Sequence, residues 1–184
     1  KKVKSKEEIE CGNLALWELK LSGIRKLITA MKNIKRGMIM NDKNVLIVLG
    51  GLPASGKSTY AEMLVESGIF QRVCPDLIRK ELYGDENIQG DGKRVFETAY
   101  YDIKEYGSRG ENVVFDATNI DRKTRVNLVK KMRPHFDIII CKWFSTPLLT
   151  CKLRNAKRER QVPYEVLESM YERFRAPMLD EGFD

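Results

Sequence analysis

Val45-Leu46-Ile47-Val48-Leu49-Gly50-Gly51-Leu52-Pro53-Ala54-Ser55-Gly56-Lys57-Ser58-Thr59 is the stretch that decides the fold. Its first five residues form an unbroken apolar run, as expected of a central strand buried on both faces. From Gly51 the chain fits G-x-x-x-x-G-K-S. The two glycines let the backbone turn tightly so that amide groups point inward, Lys57 reaches anionic oxygens, and Ser58 offers a hydroxyl to a hard cation. A helix opening at this turn adds the positive end of its dipole. Strand, glycine-rich turn and helix make a phosphate-binding loop. Gly51, Ser55, Gly56, Lys57, Ser58 and Thr59 are the expected contacts to a nucleoside triphosphate, ATP or another, with Mg²⁺ on Ser58.

Working outward, strand and helix patterns alternate. Ile69 to Val73 reads as a second strand, and a helix starts at Asp76 and runs to Tyr83. Lys93 to Tyr106 places Val95, Phe96, Ala99, Tyr100 and Ile103 on one helical face. Asn112 to Phe115 is a third strand, Asp121 caps a helix reaching Arg133, and Asp137 to Phe144 is a fourth strand. Thr146-Pro147 opens the next helix, with Thr146 as its cap, and Pro163 opens the last, with Val166, Leu167, Met170 and Phe174 as its buried face. Such alternation predicts an α/β fold of the P-loop NTPase type, a mainly parallel sheet flanked by helices. Residues 44–184 form that domain. Residues 1–43 read as a basic amphipathic helical arm or linker, with Ile24, Leu27, Ile28, Met31 and Ile34 at helical spacing.

Composition bounds the functional classes. The chain has 184 residues, 42% hydrophobic and 32% charged, with no apolar run long enough to span a bilayer and no secretory pattern at its amino end. Four scattered cysteines without a C-x-x-C pair, and a single histidine, His135, argue against a disulfide framework or a zinc site and for a reducing, cytoplasmic setting. His135 is expected to be structural. The net charge of +7 is uneven: residues 1–43 hold 11 Lys or Arg against 5 Asp or Glu, and residues 44–184 hold 22 against 21. A nucleic-acid partner would therefore be met by local patches.

Three further constellations bear chemistry. Cys74-Pro75-Asp76-Leu77-Ile78-Arg79 follows the second strand, where a doubly wound sheet borders its ligand crevice. Asp76 and Arg79, three apart at a helix start, share a face. The carboxylate there takes a proton from an attacking hydroxyl and the arginine holds an anionic group of the acceptor; the alternative is that Asp76 only caps the helix. Phe115-Asp116-Ala117-Thr118-Asn119 ends the third strand on the same side, where Asp116, Thr118 and Asn119 contact acceptor or metal-bound water, or merely close an Asx-type turn. The basic helix behind it, with Arg122, Lys123, Arg125, Lys130, Lys131 and Arg133, reads as a solvated face. Lastly, Lys152-Leu153-Arg154-Asn155-Ala156-Lys157-Arg158-Glu159-Arg160 lies between two helices. As a lid it would set Arg154 and Arg158, four apart, over a bound triphosphate, with Lys152 facing solvent; as a bland surface it would do nothing.

These segments together resemble the polynucleotide 5′-hydroxyl kinases of phage and of eukaryotic end-repair enzymes, over roughly residues 44–184. The narrowest part of the resemblance is Arg154-Asn155-Ala156-Lys157-Arg158, then Val162-Pro163, then Leu167-Glu168-Ser169-Met170-Tyr171 and Glu181-Gly182-Phe183. It implies Asp76 as general base on a 5′-hydroxyl, Arg79 on the neighbouring 3′ phosphate, Lys57 and Arg158 as catalytic groups on the donor phosphates, and Arg154 nearer the nucleoside. It also implies RNA or DNA 5′-hydroxyl ends as partners and a phosphatase or ligase alongside. Two departures stand out: Ala117 separates Asp116 from Thr118-Asn119, and Pro75 replaces the usual Arg before the catalytic Asp. The rivals are a kinase of a small metabolite or nucleoside, and a non-catalytic module that binds triphosphate and nucleic acid.

Overall fold

The computed structural model describes residues 43–85 and 90–184; the amphipathic segment expected between Ile24 and Ile34 lies outside the described residues. Four parallel strands form one sheet in the order β2-β3-β1-β4: β1 Val45–Gly51, β2 Phe70–Val73, β3 Asn112–Phe115 and β4 Ile138–Phe144. β1 is central because its apolar run can be buried on both faces; Leu46, Val48 and Leu49 are fully buried. Val48 sits level with Phe115 on one side and Cys141 on the other, so β3 stops three residues short of β1 and β4, which end together at Gly51 and Phe144.

Six helices connect and cover the strands among the described residues. α1 (Lys57–Glu66) follows β1, α2 (Pro75–Tyr83) and α3 (Gly92–Ser108) lie between β2 and β3, and α4 (Arg122–Met132) leads to β4. α5 (Leu148–Asn155) and α6 (Tyr164–Glu172) follow. On α3, Val95, Ala99 and Ile103 are buried four apart, and join Leu46, Phe115, Leu128 and Met132 in the main core. The opposite face of the sheet is covered by α1 through Tyr60, Ala61 and Leu64, with the Tyr60 and Phe144 rings edge to face at 5.7 Å. Asn44 fastens the lower end of the sheet. Its amide Nδ2 donates to the carbonyls of Gly107 and His135, its Oδ1 accepts from Asp137 N, and Asp137 Oδ2 accepts from Asn44 N.

Several local expectations change. The basic face of α4 is not all solvated, because Arg125 has no exposed surface and pairs with Glu181, itself buried, through both its Nε and Nη2. Asp121 stands at the cap position of α4 without accepting a cap hydrogen bond; its carboxylate lies 3.8 Å from Arg173. Thr146 does not cap α5, since its hydroxyl donates to Ser55 O at 3.0 Å and so braces the phosphate loop. On α6 only Leu167 is fully buried, and Val166 faces a cleft instead of the core. Lys152 faces Glu168, so α5 and α6 are joined by an ion pair where a solvated lysine was expected.

Candidate active site

The upper ends of β1, β2 and β3 open into one cleft of about 520 Å³. Its floor is the phosphate loop. Gly56 has φ 103°, a conformation that favours glycine, and a Cβ on Gly51 would stand 2.9 Å from both Phe144 Cβ and Ser55 Oγ. Glycine is therefore demanded by conformation at one position and by close approach at the other. Ala54 takes φ 59° in the same turn, so strain is concentrated where the loop curls.

Lys57 is 6% exposed and bends back into the loop, donating to Leu52 O at 2.7 Å with Ser55 Oγ at 3.5 Å. Burial pushes its pKa from 10.5 down to about 8, opposed by the nearby carboxylates Asp116 and Asp76, while Arg158 pushes further down. Lys57 therefore feels all three of these charges across the cleft. A buried ammonium held by two neutral oxygens is short of negative charge, which polyphosphate oxygens would supply. Ser58 follows at half burial, and Thr59 is exposed on the first turn of α1.

One wall carries the carboxylates. Asp76 is the second residue of α2 and caps nothing: Cys74 occupies the cap position, and Asp76 Oδ1 accepts from Arg79 Nη1 at 2.5 Å. Its Oδ2 lies 3.3 Å from Arg160 Nη1. Asp116, at the end of β3, is 5% exposed and accepts through Oδ2 from Arg72 Nη2 at 2.5 Å; Arg72 also reaches Glu62. Thr118 lines the cleft. Asn119 is turned elsewhere: buried, with φ 42°, it donates from Nδ2 to Leu49 O at 2.7 Å and so props the end of β1. Thr118 O accepts from Gly51 N, completing the brace.

The facing wall comes from the segment between α5 and α6. Arg158 lines the cleft, whereas Arg154 is exposed on the last turn of α5 and does not line it. Asn155, buried, closes the base of this segment by donating to Val162 O at 2.8 Å and accepting from Val162 N at 3.0 Å. Phe96, Val166 and Met170 add an apolar margin beside Arg79 and Asp76.

Sequence reasoning missed Arg72, Arg160, Asn155 and this apolar margin. Arg72 did carry a signal, a charged residue inside a four-residue strand; the others depend on contacts distant in the chain.

The donor set also fits Mg²⁺. Ser58 supplies a hydroxyl, and Asp116 a carboxylate with one oxygen engaged by Arg72, hard-oxygen ligands of the kind this ion takes alongside phosphates and water.

A family model described as AAA domain, AAA_33, matches residues 46–177. The chain is similar to the L-seryl-tRNA(Sec) kinase of Methanococcus maripaludis, 32% identical over 154 residues that cover 76% of this chain and 56% of that protein. Its fold is similar to a chain in a structure of the Pnkp1/Rnl/Hen1 RNA repair complex, with TM-score 0.66 and 23% identity, covering 74% of this chain and 45% of that one. It is also similar to a gluconokinase from Sinorhizobium meliloti 1021, with TM-score 0.53 and 20% identity, covering 77% and 80% of the two chains. At these identities the two structural likenesses speak for the fold alone. The chain thus spans about half the length of the tRNA kinase and of the repair-complex chain.

Proposed function

The chain belongs to the AAA_33 family and is a P-loop kinase domain, and from that premise we propose that it transfers the γ-phosphate of ATP, or another nucleoside triphosphate, to the 5′-hydroxyl end of a polynucleotide. The observation that carries the acceptor is the Asp76–Arg79 pair, 2.5 Å apart, at the rim of a cleft floored by the phosphate loop and edged by Phe96, Val166 and Met170. A base for a hydroxyl, a guanidinium for an anion and an apolar surface for a ring match the three parts of a nucleotide end.

Lys57 and the loop amides hold the donor's β- and γ-phosphates. Mg²⁺ would be held by Ser58, and by Asp116 through water, and would neutralise charge on the phosphate oxygens. In the transfer, the acceptor oxygen bonds to the γ-phosphorus as the bond from phosphorus to the β–γ bridging oxygen breaks. The hydroxyl proton passes to Asp76, and the nucleoside diphosphate leaves. Arg158, placed on the cleft wall, faces charge on the phosphoryl group in flight. Arg154, Thr59 and Asn119 act at a distance in this scheme: Arg154 from the end of α5 toward the nucleoside, Thr59 from the first turn of α1, Asn119 through Leu49 O. A phosphatase or ligase acting beside this chain fits the same reading.

A second reading has one observation in its favour. The 32% identity to a seryl-tRNA kinase supports a hydroxyl carried on RNA away from its 5′ end. The test is phosphate transfer from labelled ATP to matched RNA and DNA oligonucleotides with 5′-hydroxyl ends, to seryl-tRNA, and to free nucleosides and sugars. Labelling of oligonucleotide ends is expected; transfer only to seryl-tRNA, or only to small molecules, would replace the proposal with the corresponding rival.

A further inference from the structure

Resting on the reading of Ser58 and Asp116 as the residues that hold Mg²⁺, we propose that Arg72 is a positioning residue that fixes the Asp116 carboxylate relative to Ser58. The two oxygen donors come from different elements, the first turn of α1 and the end of β3, so no local geometry sets the distance between them. Arg72 reaches both sides. Its backbone is held in β2, level with Val114 of β3, so its side chain starts from a fixed point in the sheet. Its Nη2 donates to Asp116 Oδ2 at 2.5 Å, and its Nη1 donates to Glu62 Oε1 at 3.3 Å. Glu62 stands four residues after Ser58, on the same face of α1. One planar guanidinium thus ties the face of α1 that bears Ser58 to the carboxylate at the end of β3.

Packing alone does not account for an arginine here. Phe70, two residues earlier and on the same face of the strand, is buried, as is Val73 next in line. Arg72 Nε is buried with no hydrogen-bond partner, a loss that an apolar side chain at this position would avoid. What the arginine secures is Asp116. Their pair is shielded from water, with the side chains 19% and 3% exposed, whereas Glu62 is 57% exposed and forms the weaker end of the tie. Asp116 is gripped through Oδ2 alone. Among the described residues its Oδ1 accepts no hydrogen bond, and the residue lines the cleft, so the grip leaves one oxygen for what the cleft holds.

Selectivity among cations follows from such a strut. Mg²⁺ demands near-ideal octahedral geometry, whereas Ca²⁺ accepts larger and less regular shells. A fixed spacing of Ser58 and Asp116 favours the stricter ion. With the strut gone, the loop amides and Lys57 still meet phosphate oxygens, but the hydroxyl and the carboxylate lose their register.

The test measures, by calorimetry, binding of a non-hydrolysable ATP analogue in EDTA, with Mg²⁺ and with Ca²⁺, the gain for each ion being the affinity ratio with and without it. It uses the parent, Arg72→Gln, Arg72→Lys, Asp116→Asn and the Asp116→Asn/Arg72→Gln pair. Arg72→Gln should lower the Mg²⁺ gain about tenfold, as loss of an outer partner of a metal ligand does, with a smaller fall in the Ca²⁺ gain. Its affinity in EDTA should stay close to that of the parent. The pair should lose little more Mg²⁺ gain than Asp116→Asn alone, because Arg72 acts through Asp116. Arg72→Lys keeps the charge beside buried Asp116, so it folds even if Arg72→Gln does not; having lost the fork, it should keep the Ca²⁺ gain and give up part of the Mg²⁺ gain. The inference is overturned if Arg72→Gln weakens binding equally in EDTA and in Mg²⁺, if both ions' gains fall alike, if the pair's losses add, or if Arg72→Lys keeps the whole Mg²⁺ gain. A parent whose affinity Mg²⁺ does not raise overturns the metal reading and this inference with it, whereas a parental gain that survives Arg72→Gln overturns this inference alone. Because binding is read without turnover or acceptor, failure of the kinase proposal in its own transfer assay is a separate outcome.

Discussion

Replacing Lys57 by Met should make the empty protein more stable while ending its stabilisation by nucleotide. The fall of the Lys57 pKa from 10.5 to about 8 corresponds to about 3 kcal/mol of unfavourable burial of the charged form. Met fills nearly the same volume without that charge. It also leaves Leu52 O without the Lys57 donor, at a cost of about 1 kcal/mol. The net gain is about 2 kcal/mol, or roughly 4–8 °C in Tm for a domain of this size. Its pH dependence identifies its origin. Below pH 8 lysine is protonated both folded and unfolded, and the full penalty is present in the parent. As pH rises from about 8 to 10.5 the folded protein gives up the proton first, the penalty fades, and parent and variant converge. Tyr60, Tyr100, Cys74, Cys141 and Cys151, whose pKa values burial raises, titrate in the same region with the opposite sign. All but Cys151, whose pKa Lys57 itself pulls down, are common to both proteins and drop out of the difference. The assay is urea unfolding of parent and Lys57→Met at pH 7 and pH 9.5, each with and without ATP and Mg²⁺. A variant less stable than the parent at pH 7 without nucleotide, or a difference that does not shrink at pH 9.5, would refute the argument.

Three further outcomes follow from the site and its supports. Asp76→Asn should leave ATP affinity within a few-fold of the parent and lower turnover by about two to four orders of magnitude in steady-state transfer assays. Arg158→Ala should reduce turnover, because Arg158 lines the cleft, whereas Arg154→Ala, at an exposed position on α5, should raise the Michaelis constant for ATP with a smaller effect on turnover; kinetics at saturating acceptor separate the two. Glu181→Gln should cost about 3–5 kcal/mol in chemical denaturation, since it leaves the buried Arg125 charge without its counter-ion.

Local signals made much of the architecture legible before any coordinates. The Val45–Leu49 run and the turn at Gly51 and Gly56 define a short-range motif whose backbone demands are met within a few residues, so strand, loop and helix fell where the pattern placed them. Asp76 and Arg79 could be paired for the same reason: spacing along one helix decides that contact. Arg125 could not be read correctly, because what makes it a core residue is Glu181, 56 positions away. Val166 shows a related limit. Helical periodicity tells which residues share a face, but whether that face meets a core or a cleft depends on α2 and α3 opposite it. Arg72, the partner of Asp116 on a neighbouring strand, and Arg160, brought in by a turn in the chain set by Asn155, were hidden likewise.

The bridge from Arg125 to Glu181 also has a consequence in time. Arg125 Nη1 holds the carbonyls of Asn119 and Ile120, Asn119 holds Leu49, and Thr118 O accepts from Gly51 N, so Glu181 stands at the far end of a chain of supports reaching the nucleotide loop. On a ribosome, about 120 residues are added between Lys57 and Glu181, taking roughly 6–25 s at about 5–20 residues per second. Throughout that interval the nascent chain displays its complete signature loop without the backing that gives it shape. A chain arrested short of Glu181 would carry the whole motif without the bridge that backs it.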